Sequence, residues 1–229
     1  MYIRKLLQLL EKRTYLQAID AILHYISTAD NHVSSSSKIL LDVGCGKGNL
    51  AKSLVNVDKP VLAVSYTLGI DIFLPSLLIA KKVYDDVLRC DIRFLPFRDA
   101  SCDIVLASQI IEHLSKNDGL TLIKDLERIS KGKIIITVPV GYNPKRHLED
   151  DDPWQIHKSA WHPDEFKTRG FKVYGYAGAR FLLGERGEFK IKSRMFAPFL
   201  FAMILLTQLI TRKFVTASYQ MLCIKNVKH

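Results

Sequence analysis

From Tyr2 to Ile26 apolar residues recur at helical spacing: Ile3, Leu6, Leu7, Leu10, then Leu16, Ile19, Ile22, Leu23 and Ile26, with Arg4, Lys5, Lys12 and Arg13 elsewhere on the cylinder. This predicts an amphipathic helical lead-in over residues 1–37, closed by Asp30, Asn31 and the Ser34–Ser37 run, which lacks apolar content and has turn formers. Beyond Lys38 the pattern changes. Short apolar runs rich in β-branched residues (Ile39 to Val43, Val61 to Val64 or on to Ile70, Asp86 to Cys90, Asp103 to Ala107, Lys133 to Val138) alternate with helical stretches at Asn49 to Val55, Pro75 to Val83 and Gly119 to Ile129. Pro75 suits a first helical turn, and Asn117 and Asp118 are cap candidates for the third helix. Alternation of this kind predicts a parallel sheet with crossover helices. The short span between the third and fourth strands leaves room for little or no helix. The last third predicts two further strands, Phe171 to Ala177 and Ala217 to Lys225, which fit an antiparallel pair at the sheet edge.

Between those two strands lies Met195 to Ile210, where 13 of 16 residues are apolar and none is charged. At about 1.5 Å per residue this run reaches only ~24 Å of a ~30 Å hydrocarbon core, and pairing of its flanking strands would return both ends to one side. A bilayer span is therefore not expected. From Arg180 onward there are 9 basic and 2 acidic residues, so charge and apolar surface lie side by side. A helix starting near Pro198 could cover a pocket, pack on another subunit, or lie in a membrane interface with Lys190, Lys192, Arg194, Arg212 and Lys213 toward anionic headgroups. An ordinary core helix is the plainer alternative.

Composition narrows the picture only in part. The 229 residues are 48% apolar, which suffices for a core and excludes whole-chain disorder. Lys and Arg number 33 against 23 for Asp and Glu, a net +10 that points to an anionic partner without saying which. Cys45, Cys90, Cys102 and Cys223 show no ligand spacing and are few, so neither a disulfide framework nor structural zinc is expected. With no uninterrupted apolar stretch and cleavage site near Met1, a secretory signal is not expected either, and a cytoplasmic setting is.

The chemistry begins where the first strand runs into Asp42-Val43-Gly44-Cys45-Gly46-Lys47-Gly48 and then a helix. A glycine turn at the carboxyl end of a strand lets backbone N–H groups approach a ligand. A dinucleotide fingerprint wants glycines at offsets of about 0, 2 and 5, but here Asn49 stands where the third should be, and the phosphate-loop pattern also fails. A ligand without phosphate is left. Asp71, after the second strand region, could accept both hydroxyls of a ribose, and Asp91, after the third, an exocyclic amine. Each aspartate alone could be a capping carboxylate or turn former; three in order are harder to explain that way. If the second strand ended at Ser65, Asp71 would lie beyond the crevice.

LLDVGCGKG, GIDIF, RCDIRFLPF and CDIVLASQIIEHL, in this order, resemble the class I S-adenosylmethionine-dependent methyltransferases, in particular the small-molecule group with an EHL-like tripeptide after strand four. The resemblance implies a Rossmann-like, seven-stranded, mostly parallel sheet in the order 3-2-1-4-5-7-6 with helices on both faces, spanning residues 38–229, with residues 179–214 inserted between strands six and seven. It also implies S-adenosyl-L-methionine as cofactor, with Asp42, Gly44, Cys45 and Gly46 facing the methionine part. Asp71 would hold the ribose, with Ile72 against adenine; Asp91 and Ile92 would meet the adenine amine and ring; Ser108 and Gln109 would line the methyl side.

Methyl transfer from a sulfonium needs in-line positioning and exclusion of water, and a base only when the acceptor is protonated. Base candidates are His113, in the EHL tripeptide, and His147 and His157, in the loop from Gly141 to Trp161. Tyr142, Trp154 and Trp161 accompany them beside the acidic run Glu149 to Asp152, which suggests a lid or acceptor wall. His147, Glu149, Asp150 and His157 include metal-ligand types, but nothing in the sequence fixes their geometry and no metal site is expected. The expected acceptor is a small or lipid-like molecule, methylated at oxygen or nitrogen, with peripheral membrane contact through Met195 to Ile210. Nucleic acid is the weaker candidate, because Ala107-Ser108-Gln109-Ile110 stands where base-amine methylases carry a Pro-Pro-aromatic motif, and no Pro-Cys nucleophile is present. A non-catalytic cofactor-binding partner protein is the third reading.

Overall fold

The computed structural model describes residues 38–50, 64–141, 152–183 and 197–227. The N-terminal lead-in over residues 1–37 and most of the helix expected after Asn49 lie outside them. Seven strands form one sheet: β1 (Ile39–Val43), β2 (Tyr66–Asp71), β3 (Asp86–Arg89), β4 (Cys102–Ser108), β5 (Ser130–Pro139), β6 (Lys172–Ala179) and β7 (Ser218–Asn226). Their order is β3-β2-β1-β4-β5-β7-β6. The pairs among the first five strands are parallel, and β7 runs antiparallel to both β5 and β6. This is the Rossmann-like arrangement expected from the ordered motifs.

Side-chain alternation builds the two layers. Leu41, Val43, Val105, Ala107, Ile134, Ile136, Met221 and Cys223 face one core, while Leu40, Ile104, Leu106, Ile135, Leu222 and Ile224 face the other. Because both faces are covered, the strands are continuous apolar runs. Helices α1 (Leu74–Ala80), α2 (Lys116–Ile129), α3 (Pro163–Lys167) and α4 (Ala197–Thr211) follow in chain order. From α2, Leu122, Ile123, Leu126 and Ile129 enter the first core, and from α4 Ile204 enters the second.

Several boundaries differ from the sequence pattern. Of the expected second-strand region, Val61 to Ala63 lie outside the described residues; among the described ones the strand runs from Tyr66, with its register set by β1: Ile39 lies opposite Tyr66, and Val43 opposite Ile70. It therefore extends to Asp71. Helix α1 is shorter than expected and starts one residue before Pro75. Helix α2 starts earlier than Gly119, capped by Ser115, whose hydroxyl accepts from the Asp118 N–H at 3.2 Å, so Asn117 and Asp118 lie within its first turn. As expected, residues 90–101 carry no helix.

Helix α4 lies on β6 with an inverted polarity. Its polar side chains turn inward: Thr207 Oγ1 accepts from the Ala179 N–H at 3.2 Å, and Gln208 accepts from Gly178 N–H at 2.9 Å and donates to Gly175 O at 3.1 Å. Leu200 and Ile204 are buried beside them, whereas Phe199, Leu206, Leu209 and Ile210 point outward, Leu209 74% exposed. The helix is thus not an ordinary core element. No helix among the described residues is long and apolar enough to cross a membrane.

Gly175 lies directly under the end of α4, where a Cβ would stand 2.0 Å from Thr211 O and 2.8 Å from the Ser218 side chain. Since a backbone carbonyl cannot rotate away, Gly175→Ala should destabilise the fold by about 2 kcal/mol or more in urea unfolding. A loss below about 0.5 kcal/mol would show that the α4–β6 contact yields.

Candidate active site

The carboxyl ends of β1, β2 and β4 are level: Val43 lies opposite both Ile70 and Ala107. One residue further along stand Gly44, Asp71 and Ser108. Between β1 and β4 the strand order reverses, the position where open α/β sheets bind ligands.

The glycine turn is fastened to the end of β2. Gly44 and Cys45 N–H both donate to Ile70 O at 2.9 Å, and Gly46 N–H donates to Asp71 Oδ2 at 2.8 Å. The other Asp71 oxygen accepts from Phe73 N–H at 2.8 Å. Gly44 (φ +73°) has no room for a side chain, because a Cβ would meet Ile110 Cγ1 at 2.5 Å, so the loop packs directly on the residue pair that leaves β4. Above Gly46 (φ +53°) nothing lies within 4 Å of a Cβ position, so the backbone there faces open space. Gly44, Cys45, Gly46 and Asp71 meet beside this space.

Beneath the loop Asp42 is 2% exposed and accepts from Tyr84 Oη at 2.5 Å. Burial pushes its carboxyl up to about 7; the Tyr84 hydrogen bond opposes the shift, and the neighbouring Asp71 charge adds to it. Asp71 is also raised, first by burial, against the N–H groups of Phe73 and Gly46, with the charge of Asp152 contributing. Burial and the carboxylates Asp42 and Asp71 likewise keep the Cys45 thiol protonated. The site is therefore electronegative and partly protonated, suited to a cationic ligand.

At the end of β4, Ser108 Oγ lies 2.8 Å from Thr137 Oγ1 of β5. Gln109 adopts φ +53°, uncommon for a residue with a side chain, and is held there from three strands. Its N–H donates to Thr137 O at 2.9 Å, its Nε2 to Thr137 Oγ1 at 3.2 Å and Tyr176 Oη at 3.4 Å, and its Oε1 accepts from Gln220 Nε2 at 3.0 Å. Tyr84, Thr137, Tyr176 and Gln220 were not evident from the motifs, because their parts come from pairing far along the chain.

On the expected adenine side, Ile72 is half-buried beside Asp71. Asp91 follows β3, but its carboxylate is engaged by Arg93 through the backbone N–H at 3.0 Å and a bidentate guanidinium contact, which holds it below the usual carboxylate range. Ile92 is buried in the first core with Cys90 and Leu95.

The segment after β5 closes back over the end of β4. Lys158 and Ser159 N–H donate to Glu112 O at 2.7 and 3.1 Å, and Gly141 N–H donates to Trp161 O at 2.7 Å in an isolated antiparallel bridge. Trp161 is fully buried against Gly119 and Phe166, with Lys116 Nζ 3.6 Å from its ring centre; it is a core residue, not part of an acceptor wall. The fold brings His113 and His157 together, ring centres 4.8 Å apart in a T-shaped contact. Tyr142, His147, Glu149 and Asp150 lie outside the described residues. Asp152 is buried, accepting from Trp154 N–H at 2.9 Å.

The raised Asp42 carboxyl has a measurable consequence in the ligand-free protein. Folded Asp42 retains a proton that the unfolded chain releases above its ordinary value of 3.8, so this group lowers stability as pH rises from about 4 to about 7, by on the order of 4 kcal/mol in full. In urea unfolding, Asp42→Asn should be more stable than the parent at pH 8 and lose more than half of that advantage at pH 5. An equal offset at both pH values would mean that Asp42 is not held protonated.

Comparison with known proteins agrees with this geometry. Residues 41–136 match the family described as "Methyltransferase domain". A stretch of 122 residues is 33% identical to a protein named "Probable tRNA methyltransferase 9B" from Bos taurus, covering 51% of this chain and 25% of that protein's length. Among solved structures, a SAM-dependent methyltransferase from Archaeoglobus fulgidus superposes with a TM-score of 0.56 at 18% identity, over 92% of this chain and 93% of that one. The small RNA methyltransferase HEN1 gives 0.59 at 16% identity, over 94% of this chain and 25% of that one. Both share the fold. With the motif order, the sheet order and the family match in agreement, residues 41–136 carry a methyltransferase domain on the fold that S-adenosylmethionine-dependent methyltransferases share.

Proposed function

We propose that the protein transfers the methyl group of S-adenosylmethionine to an oxygen or nitrogen of a small, lipid-like acceptor met at a membrane surface. The observation that carries the methyl-transfer part is the meeting of the glycine turn, Asp42 and Asp71 at the β1–β4 switch point, with open space above Gly46. The cofactor supplies an activated methyl on a sulfonium, so the chain needs no covalent nucleophile. Asp71 would take the ribose hydroxyls, and Ile72, with Asp91 and Ile92, would serve the adenine end. Asp42 and the turn Gly44-Cys45-Gly46 would face the cationic methionine part, and Ser108 and Gln109, rigidly tied to β5 and β7, would line the methyl side. The acceptor would approach beside His113 and His157, where an oxygen acceptor must lose its proton.

The lipid-like acceptor is supported by α4. A helix that turns Thr207 and Gln208 inward and presents Phe199, Leu206, Leu209 and Ile210 outward leaves an apolar strip, with exposed Arg212 and Lys213 at its end and Phe214 beyond. Apolar strip and flanking cations are the combination that binds an anionic interface. In this reading the protein works at the inner surface of the cell membrane. RNA is the second reading, supported by the name of the bovine relative and by the +10 charge.

Incubation of the full chain with methyl-labelled cofactor and cell extract, followed by separation of lipid, RNA and protein, distinguishes these. Label should enter the lipid fraction, and Leu206→Glu with Leu209→Glu should lower both that label and flotation with anionic vesicles by about tenfold or more. Label confined to RNA would replace the lipid reading with the second one. Label in no fraction would favour a cofactor-binding partner protein.

A further inference from the structure

Glu112, His113 and His157 each present one ligand-type atom within 4.8 Å of the other two. The sequence pattern groups His157 with His147, Glu149 and Asp150 by ligand type alone; the fold brings it to the EHL tripeptide. We propose that these three side chains bind one divalent first-row transition-metal ion, of the zinc type, on the acceptor side of the crevice. The claim concerns metal binding and stands apart from the methyl-transfer reading.

The placement is built by backbone contacts. Glu112 and His113 belong to the single turn of 3-10 helix Ile111–His113, which starts two residues after Gln109. The segment carrying His157 is strapped to that turn on both sides of the histidine. Ile156 O meets His113 Nδ1 at 3.3 Å, and Lys158 and Ser159 N–H donate to Glu112 O. The Ser159 hydroxyl adds a bond to Ile111 O at 3.4 Å. None of these links needs an ion.

The Ile156 contact also sets the tautomer. A carbonyl oxygen can only accept, so Nδ1 of His113 carries the hydrogen, and neutral His113 keeps its lone pair on Nε2. A metal-binding histidine is commonly oriented in this way, by a carbonyl on the nitrogen that does not bind. Glu112 is 2% exposed and His113 8%, so the carboxylate sits where a nearby positive charge is strongly favoured. His157 is half-buried, which leaves a path to solvent.

Two imidazoles and one carboxylate suit zinc and its first-row neighbours better than magnesium or calcium, which take all-oxygen sets. Ligand atoms about 2.1 Å from a tetrahedral ion stand roughly 3.4 Å apart, so closing the set takes a side-chain movement of about an ångström, which His157 can make on its irregular segment. Three protein ligands leave a fourth position open. Lying beside the end of β4, that position is available to an acceptor oxygen, whose proton a bound cation would make easier to lose.

The test uses the full chain, stripped with chelator and dialysed against Zn²⁺ or Co²⁺, with Mg²⁺ as the comparison ion. One equivalent of Zn²⁺ should remain by elemental analysis. Co²⁺ should give the strong visible absorption of a low-coordinate site, and Mg²⁺ should not displace it. His157→Ala, which alters a half-buried residue, should weaken binding by about tenfold or more, and Glu112→Gln likewise. Far-ultraviolet circular dichroism establishes that each variant folds; because Glu112 is buried, His157→Ala decides if Glu112→Gln does not. A parent chain that retains neither ion would overturn the proposal, leaving an imidazolium–carboxylate cluster. So would His157→Ala binding as tightly as the parent, which would put the ion at other histidines. The readout requires neither cofactor nor acceptor, so its failure is separable from failure of methyl transfer.

Discussion

Three backbone N–H groups fasten the glycine turn to the end of β2: Gly44 and Cys45 to Ile70 O, and Gly46 to the Asp71 carboxylate. The clamp works only because β1 and β2 end level, which follows from the parallel register that sets Val43 opposite Ile70. It fixes a turn whose first glycine already touches Ile110, and so joins the ends of three strands into one rigid rim. The rim in turn covers Asp42, and covering it is what raises that carboxyl. A cationic ligand would reverse this effect, since a positive charge nearby favours the ionised form that the empty crevice disfavours. Binding and protonation at this site are thus linked.

Much of this was legible in the chain because the strands are short, apolar and bounded by turn residues. The alternation that divides Leu40 from Leu41, and Ile135 from Ile134 and Ile136, is visible to the eye once the sheet is assumed. The candidate cofactor residues follow directly from strand ends, and the level ends of β1, β2 and β4 set Asp42, Gly44, Gly46, Asp71, Ser108 and Gln109 along one edge of the sheet. What the pattern misplaced depends on contacts between distant residues. The sequence pattern leaves the end of the second strand open between Ser65 and Ile70, and only the pairing of residues 66–70 with β1 brings Asp71 to the strand end. Trp161 reads as a loop aromatic until Gly119 leaves a hollow for its ring. Asp91 lies where a strand end should deliver it, and the Arg93 contact that orients its carboxylate was not evident from the motifs.

The acceptor side was the least legible, for the same reason. His113 and His157 are far apart in sequence, and nothing local indicates that Ile156, Lys158 and Ser159 fold back on the Ile111–His113 turn. Likewise the composition of Met195 to Ile210 describes an apolar helix but not its orientation. That depends on Thr207 and Gln208 satisfying the backbone of β6, which turns Leu206 and Leu209 outward. In both places hydrogen bonding to backbone, more than hydrophobicity, decides which side chains face the outside.

The measurement that bears most directly on the central claim, that the glycine turn with Asp42 and Asp71 holds an adenosyl sulfonium, is calorimetric titration of the full chain with S-adenosylhomocysteine. One site per chain is expected, with Asp71→Ala weakening it by about tenfold or more, equivalent to at least about 1.4 kcal/mol. No heat of binding with the folded parent chain, or equal affinity in Asp71→Ala, would contradict the account.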